Sequence, residues 1–144
     1  MCARHPVHTS MPGAAGRTPV IDFSGQTGSF GDKTGTTRNF TFSGLFGGAN
    51  PFLTIQIDDG TVASFAPWPA PHGDFWSSTG IVVVTHRVGI ATAIYAIARD
   101  ILAPGGRRIA PSDNLKDDGV ALWGFLDPSI QTEPTVGGAS RPKL

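Results

Sequence analysis

The chain has 144 residues, only 15% of them charged, and its 11 basic side chains balance 11 acidic ones to a formal net charge of zero. That balance excludes the basic footprint of a nucleic-acid binder. No apolar run approaches the roughly 20 residues that span a bilayer, and the single cysteine, Cys2, excludes an intrachain disulfide.

The length fits one domain, with part of it irregular, because 19 glycines and 12 prolines are many for 144 residues. The N-terminus, MCARHPVHTSMPGAAG, lacks the apolar centre of a secretory signal. A cytoplasmic protein is therefore expected, with neither membrane nor nucleic acid among its partners. Residues 1–35 hold few large apolar side chains and read as a mostly irregular arm, with a short strand at 19–23. Cys2, His5 and His8 in that arm are spaced like part of a metal site. No fourth ligand is near them and no element frames them, so no metal is expected.

From residue 36 the pattern becomes organised. Thr37-Arg38-Asn39-Phe40-Thr41-Phe42 alternates polar and apolar, as a half-buried strand does. Residues 52–57 and 61–65 are two β-prone runs joined through Asp58-Asp59-Gly60, which predicts an antiparallel hairpin with Leu53, Ile55 and Ile57 on one face. Residues 66–79, rich in proline and aromatics, are expected to be a loop. Two readings of that loop stay open: a cover packed through Trp68, Phe75 and Trp76, or a lid carrying His72 and Asp74.

The organising stretch is residues 80–106. Ile81-Val82-Val83-Val84 predicts a strand, residues 85–89 a turn, and the small or apolar side chains at 90, 93, 94, 97, 98, 101 and 102 form one face of a helix. Pro104-Gly105-Gly106 stops that helix. A strand passing through a glycine-bearing turn into a helix leaves backbone N–H groups unpaired and pointing one way, which suits an anion such as a phosphate. Arg107 to Pro111 follows as a short strand. Ser112 can cap a second helix carrying Leu115, Val120, Leu122, Trp123 and Leu126, and 127–144 reads as a loose tail. The expected fold is α+β: a mixed, mainly antiparallel sheet whose C-terminal half runs strand-helix-strand-helix.

The turn His86-Arg87-Val88-Gly89-Ile90-Ala91, its continuation Thr92-Ala93-Ile94-Tyr95 and the later PSDNLKDDGVALW together resemble the core of the GNAT superfamily of N-acyltransferases. The likeness spans residues 36–126 and implies a GNAT-like acyl-CoA-binding domain over that range. It implies acetyl-CoA, or another acyl-CoA, as cofactor. The backbone of Val83 and Val84 would pair with the pantetheine arm. Arg87, Val88, Gly89, Ile90, Ala91 and Thr92 would hold the pyrophosphate, and Asn114 would contact the cofactor. It further implies direct transfer of an acyl group to the amine of a small molecule or peptide, by an enzyme that can form a homodimer. The catalytic residues stay open: Asp74, His72 and His86 are the proton acceptors near the pivotal strand, each weighed against an ordinary surface role. The alternative is a small non-catalytic binding or accessory protein, of the kind a phage or mobile element carries, that retains a degenerate fold.

Overall fold

A computed structural model describes residues 18–112, 123, 126–135 and 139–144. The sheet runs in chain order through β1 (Val20–Asp22), β2 (Thr27–Gly31), β3 (Thr37–Leu45), β4 (Phe52–Ile57), β5 (Val62–Pro67) and β6 (Phe75–Val82). Each of these strands is antiparallel to the one before it. After β6 the chain forms α1 (Ile90–Leu102), makes a 3-10 turn at Ala103–Gly105, and returns as β7 (Arg108–Ile109), parallel to β6. A separate hairpin pairs β8 (Thr132–Pro134) with β9 (Ser140–Pro142).

The molecule is therefore mostly β: seven strands in a curled sheet and one 13-residue helix among the described residues. This corrects the α+β expectation, since the arrangement is not the strand-helix-strand-helix half of a GNAT-like domain. Two segments tip the balance. Residues 24–35, expected to be irregular, contribute β2 beside the short strand expected at 19–23, which is β1, and 75–79, expected to be loop, form the first part of β6. Both are rich in Gly, Ser and Thr and carry few inward anchors, Phe30 in β2 and Trp76 in β6, so their alternation is hard to see in the sequence. Short polar side chains are at home on the solvent face of a half-buried strand. The predicted second helix lies almost entirely outside the described residues, as do Cys2, His5 and His8.

The inner face of the sheet presents Phe40 and Phe42 from β3, Leu53, Ile55 and Ile57 from β4, and Ala63 and Phe65 from β5, all buried. Against them α1 lays Ile90, Ala93, Ile94, Ile97, Ala98, Ile101 and Leu102, the positions that the 3.6-residue period marks, together with Ala96. Helix and sheet thus share one core, into which Trp123 also packs. The helix starts beside the β2–β3 turn, where the Lys33 amide donates to the Val88 carbonyl at 2.9 Å, and ends at β7. It crosses the sheet from one side to the other. Gly89 at its start (φ 85°) and Gly106 beyond its end (φ 74°) are both left-handed, a backbone region that glycine enters without a Cβ clash. No helix among the described residues is long and apolar enough to cross a membrane.

Candidate functional site

The segment that leads from β6 toward α1, where Val83 and Val84 were expected to pair with a pantetheine arm, is anchored by the protein itself at Val84 and Thr85. Its anchor is the β4–β5 hairpin. Thr61, fully buried, accepts the Val84 amide on its hydroxyl at 2.9 Å, and the Asp59 carboxylate accepts the amides of Thr61 at 2.8 Å and Thr85 at 3.1 Å. Burial pushes the Asp59 carboxyl up, but the Thr85 and Thr61 donors outweigh it and hold its pKa at about 2. The amide of Val84 is thus engaged inside the fold rather than offered to a pantetheine arm. Val83 and Val88 pack on the core.

The remaining predicted ligands surround the helix start. Arg87 is exposed and left-handed (φ 65°), and Ile90 is buried. Gly89 is the N-cap without a side-chain bond, and the first intrahelical bond runs from the Ala93 amide to the Gly89 carbonyl. The amides of Ile90, Ala91 and Thr92 precede that bond, so the helix lends them no partner. Lys33 lies alongside, close enough that a Cβ on Gly89 would sit 3.0 Å from its Cγ. Asn114 lies outside the described residues.

His72 sits half-buried in the β5–β6 loop, Asp74 is exposed with its carbonyl accepting the Arg108 amide, and His86 is exposed on the turn. None of the three lines the cavity described next.

That cavity opens where β6 and β7 part. Parallel pairing joins only Phe75 to Arg108 and Trp76 to Ile109, with a last bond from the Ala110 amide to the Trp76 carbonyl at 2.8 Å. Pro111 follows, and a residue without N–H cannot extend a ladder. On the other side of β6, Ser64 pairs with Gly80 but Phe65 with Ser78, so Thr79 is an extra residue, a bulge. The bulge shifts the inward positions from Trp76 and Ser78 to Ile81. Backbone groups alternate along a strand. Trp76 turns its carbonyl toward β7, so Ser78 turns its amide and carbonyl into the gap that β7 vacates.

The resulting wedge has a volume of about 580 Å³ and is lined by Pro67, Trp68, Ser77, Ser78, Thr79 and Ser112, among others. Two of its features are chemical. The Trp68 indole Nε1 is buried without a hydrogen-bond partner among the described residues, and such a donor costs stability unless something accepts from it. The Tyr95 hydroxyl reaches from α1 to within 3.5 Å of the Ser78 hydroxyl, its ring held edge-on between Phe65 at 5.9 Å and Trp123 at 5.2 Å.

Sequence reasoning reached Trp68 only as packing, Tyr95 as a helix residue and Ser112 as a cap, and it passed over Ser77, Ser78 and Thr79. The signal available was Pro111, which bounds the strand that leaves β6 open. A broader trough of about 650 Å³ lies on β2–β4 over Thr27, Ser29, Asn39, Thr41 and Gln56. Its one carboxylate, Asp58, accepts the Asn39 amide at 2.9 Å, so the trough lacks a pair of groups for acid–base chemistry. Compared with known proteins, the chain matches no family model, no curated sequence and no solved structure.

Proposed function

We propose that this chain is a small binding module that holds an extended, amide-bearing ligand along the free edge of β6, and that an acyl-CoA, through its pantetheine arm, is such a ligand. The observation that carries this reading is the parting of β6 from β7 after Trp76 and Ile109, which leaves strand edge facing a polar wedge. An extended chain with its own amides pairs with such an edge as an added strand does. Trp68, whose buried indole Nε1 has no hydrogen-bond partner among the described residues, lines that wedge. The helix start, across the sheet beside the β2–β3 turn, has no part in this mode.

A second reading, acyl transfer to an amine, is favoured by one further observation: the Tyr95 hydroxyl lies 3.5 Å from the hydroxyl of Ser78, a residue that lines the wedge. A hydroxyl there can return a proton to a departing thiolate once the thioester lies on β6. Titration of the ¹⁵N-labelled protein with acetyl-CoA tests the first reading. Saturable shifts are expected at the Trp68 indole and at residues 77–80, weakened by Trp68→Phe. No movement at these groups at millimolar acetyl-CoA overturns it. Acetyl transfer to a panel of amines tests the second, with Tyr95→Phe expected to lower turnover while leaving acetyl-CoA binding intact.

A further inference from the structure

A second cavity, of about 360 Å³, lies where β6 and β7 begin, with Phe75, Arg108 and Ile109 on one side and Ile130 and Lys143 on the other. Arg99, near the end of α1, and Arg107 complete a set of four cationic side chains around it. The acid among its described lining side chains is Asp127, whose carboxylate already accepts the amide and hydroxyl of Ser129. In a chain with no net charge this is a local concentration, and among the described residues it stays positive even with a free carboxylate on Leu144.

Ordinary structural roles account for part of the set. Arg99 suits the negative end of the helix dipole and pairs with Asp100 at 3.4 Å. The arginine stems cover aromatic rings: the Arg107 guanidinium carbon stands 4.9 Å from the Phe46 ring centre and 6.0 Å from that of Trp76, and that of Arg108 stands 4.2 Å from that of Phe75. These contacts do not explain why Lys143 converges on the same cavity, nor why Arg107, Arg108 and Lys143 form no ion pair among the described residues. Arg107 also donates one N–H to the Phe46 carbonyl at 3.4 Å, which leaves it further donors, and the ring contacts spend side-chain entropy before any ligand arrives.

We propose that this cavity binds the dianionic head of a phosphate monoester, with Arg108, Arg107 and Lys143 as its donors and Ile109 and Ile130 beneath the organic body. A carboxylate occupies one guanidinium fork, whereas a phosphate presents three oxygens and about two charges to several donors. The volume is at the small end of ligand pockets. The site stands at the opposite end of β6 from the wedge and does not depend on what the wedge holds.

Phenyl phosphate, titrated into the ¹⁵N-labelled full chain at low salt, is the test, with inorganic phosphate and benzenesulfonate as parallel probes. Saturable binding is expected, with shifts at the amides of Arg108, Ile109 and Ile130. Phenyl phosphate should bind more tightly than either parallel probe, because one lacks the organic body and the other the second charge. Arg108→Gln should weaken binding by about tenfold or more, the loss expected for a contact to a charged group. Trp68→Phe in the wedge should leave the affinity unchanged. If Arg108→Gln does not fold, Lys143→Gln on the exposed segment gives the same readout. The proposal is overturned by absent saturation at tens of millimolar phenyl phosphate, by equal affinity for benzenesulfonate, or by affinity that a folded charge-removing variant does not alter.

Discussion

Thr61→Val isolates the clamp between the β4–β5 hairpin and the strand-to-helix turn. The side chain is fully buried, and its hydroxyl accepts the Val84 amide at 2.9 Å. Valine keeps the shape and deletes that bond. A hydrogen bond contributes about 1 kcal/mol net, and a donor left dry costs about 1–3 kcal/mol. The added methyl returns up to about 0.8 kcal/mol of apolar burial. The balance is a loss of about 2 kcal/mol, which for a domain of this size lowers Tm by about 6–10 °C. Thermal unfolding followed by circular dichroism measures the loss, and amide exchange locates it. Val84 and Thr85 should exchange fast in Thr61→Val but stay protected in Thr61→Ser, which retains the hydroxyl. A Thr61→Val protein with wild-type Tm and wild-type protection at Val84 would refute the clamp.

The remaining predictions concern the carboxylates and one glycine. Asp32, whose side chain is buried, takes the Thr34 hydroxyl at 2.6 Å, the amides of Thr34 and Thr36, and Arg38 Nε at 3.0 Å. Led by the Thr34 hydroxyl, these donors hold its pKa at about 2, below the usual 3.8, as happens at Asp59. The folded state therefore binds these two protons more weakly than the unfolded chain. Their contribution to stability is complete above the unfolded pKa of 3.8 and fades as pH falls through about 2. Tm should decline steeply across that window, and the slope should shrink in Asp32→Asn and Asp59→Asn. An unchanged slope in both variants would remove the assignment. Gly28 in β2 lies under the ring of its cross-strand partner, where a Cβ would sit 2.3 Å from Phe40 Cζ and 2.4 Å from the Val20 carbonyl oxygen. Gly28→Ala should cost about 1–3 kcal/mol through overpacking, read from the denaturant midpoint, and a neutral result would mean that β1 yields freely.

The parts of the fold legible in the sequence are those whose information is local. The apolar period from Ile90 to Leu102 marks the buried face of α1, and the glycines bounding it adopt the left-handed conformations that their position requires. Phe52–Ile57 alternates so strictly that the hairpin and its inward face follow from it. Where inward anchors are few, in Thr27–Gly31 and the start of Phe75–Val82, the pattern falls below notice, and the α+β expectation failed there. Those strands exist because neighbours pair with them, as β3 pairs with β2 and β5 with β6.

Both candidate sites depend on a still longer reach. The wedge needs a bulge at Thr79 and a ladder ended by Pro111, and the tyrosine beside its Ser78 comes from α1. The cationic cavity joins Arg99, Arg107, Arg108 and Lys143, the last of them 35 positions beyond Arg108 in the chain. By itself the sequence determined one helix, one hairpin and their buried faces, because periodicity is a property of adjacent residues. The tertiary structure alone decided where the amides of Val84 and Thr85 are used, which strand edge stays open among the described residues and where the cations gather. Each of these is a meeting of segments distant in sequence, and only packing brings them together.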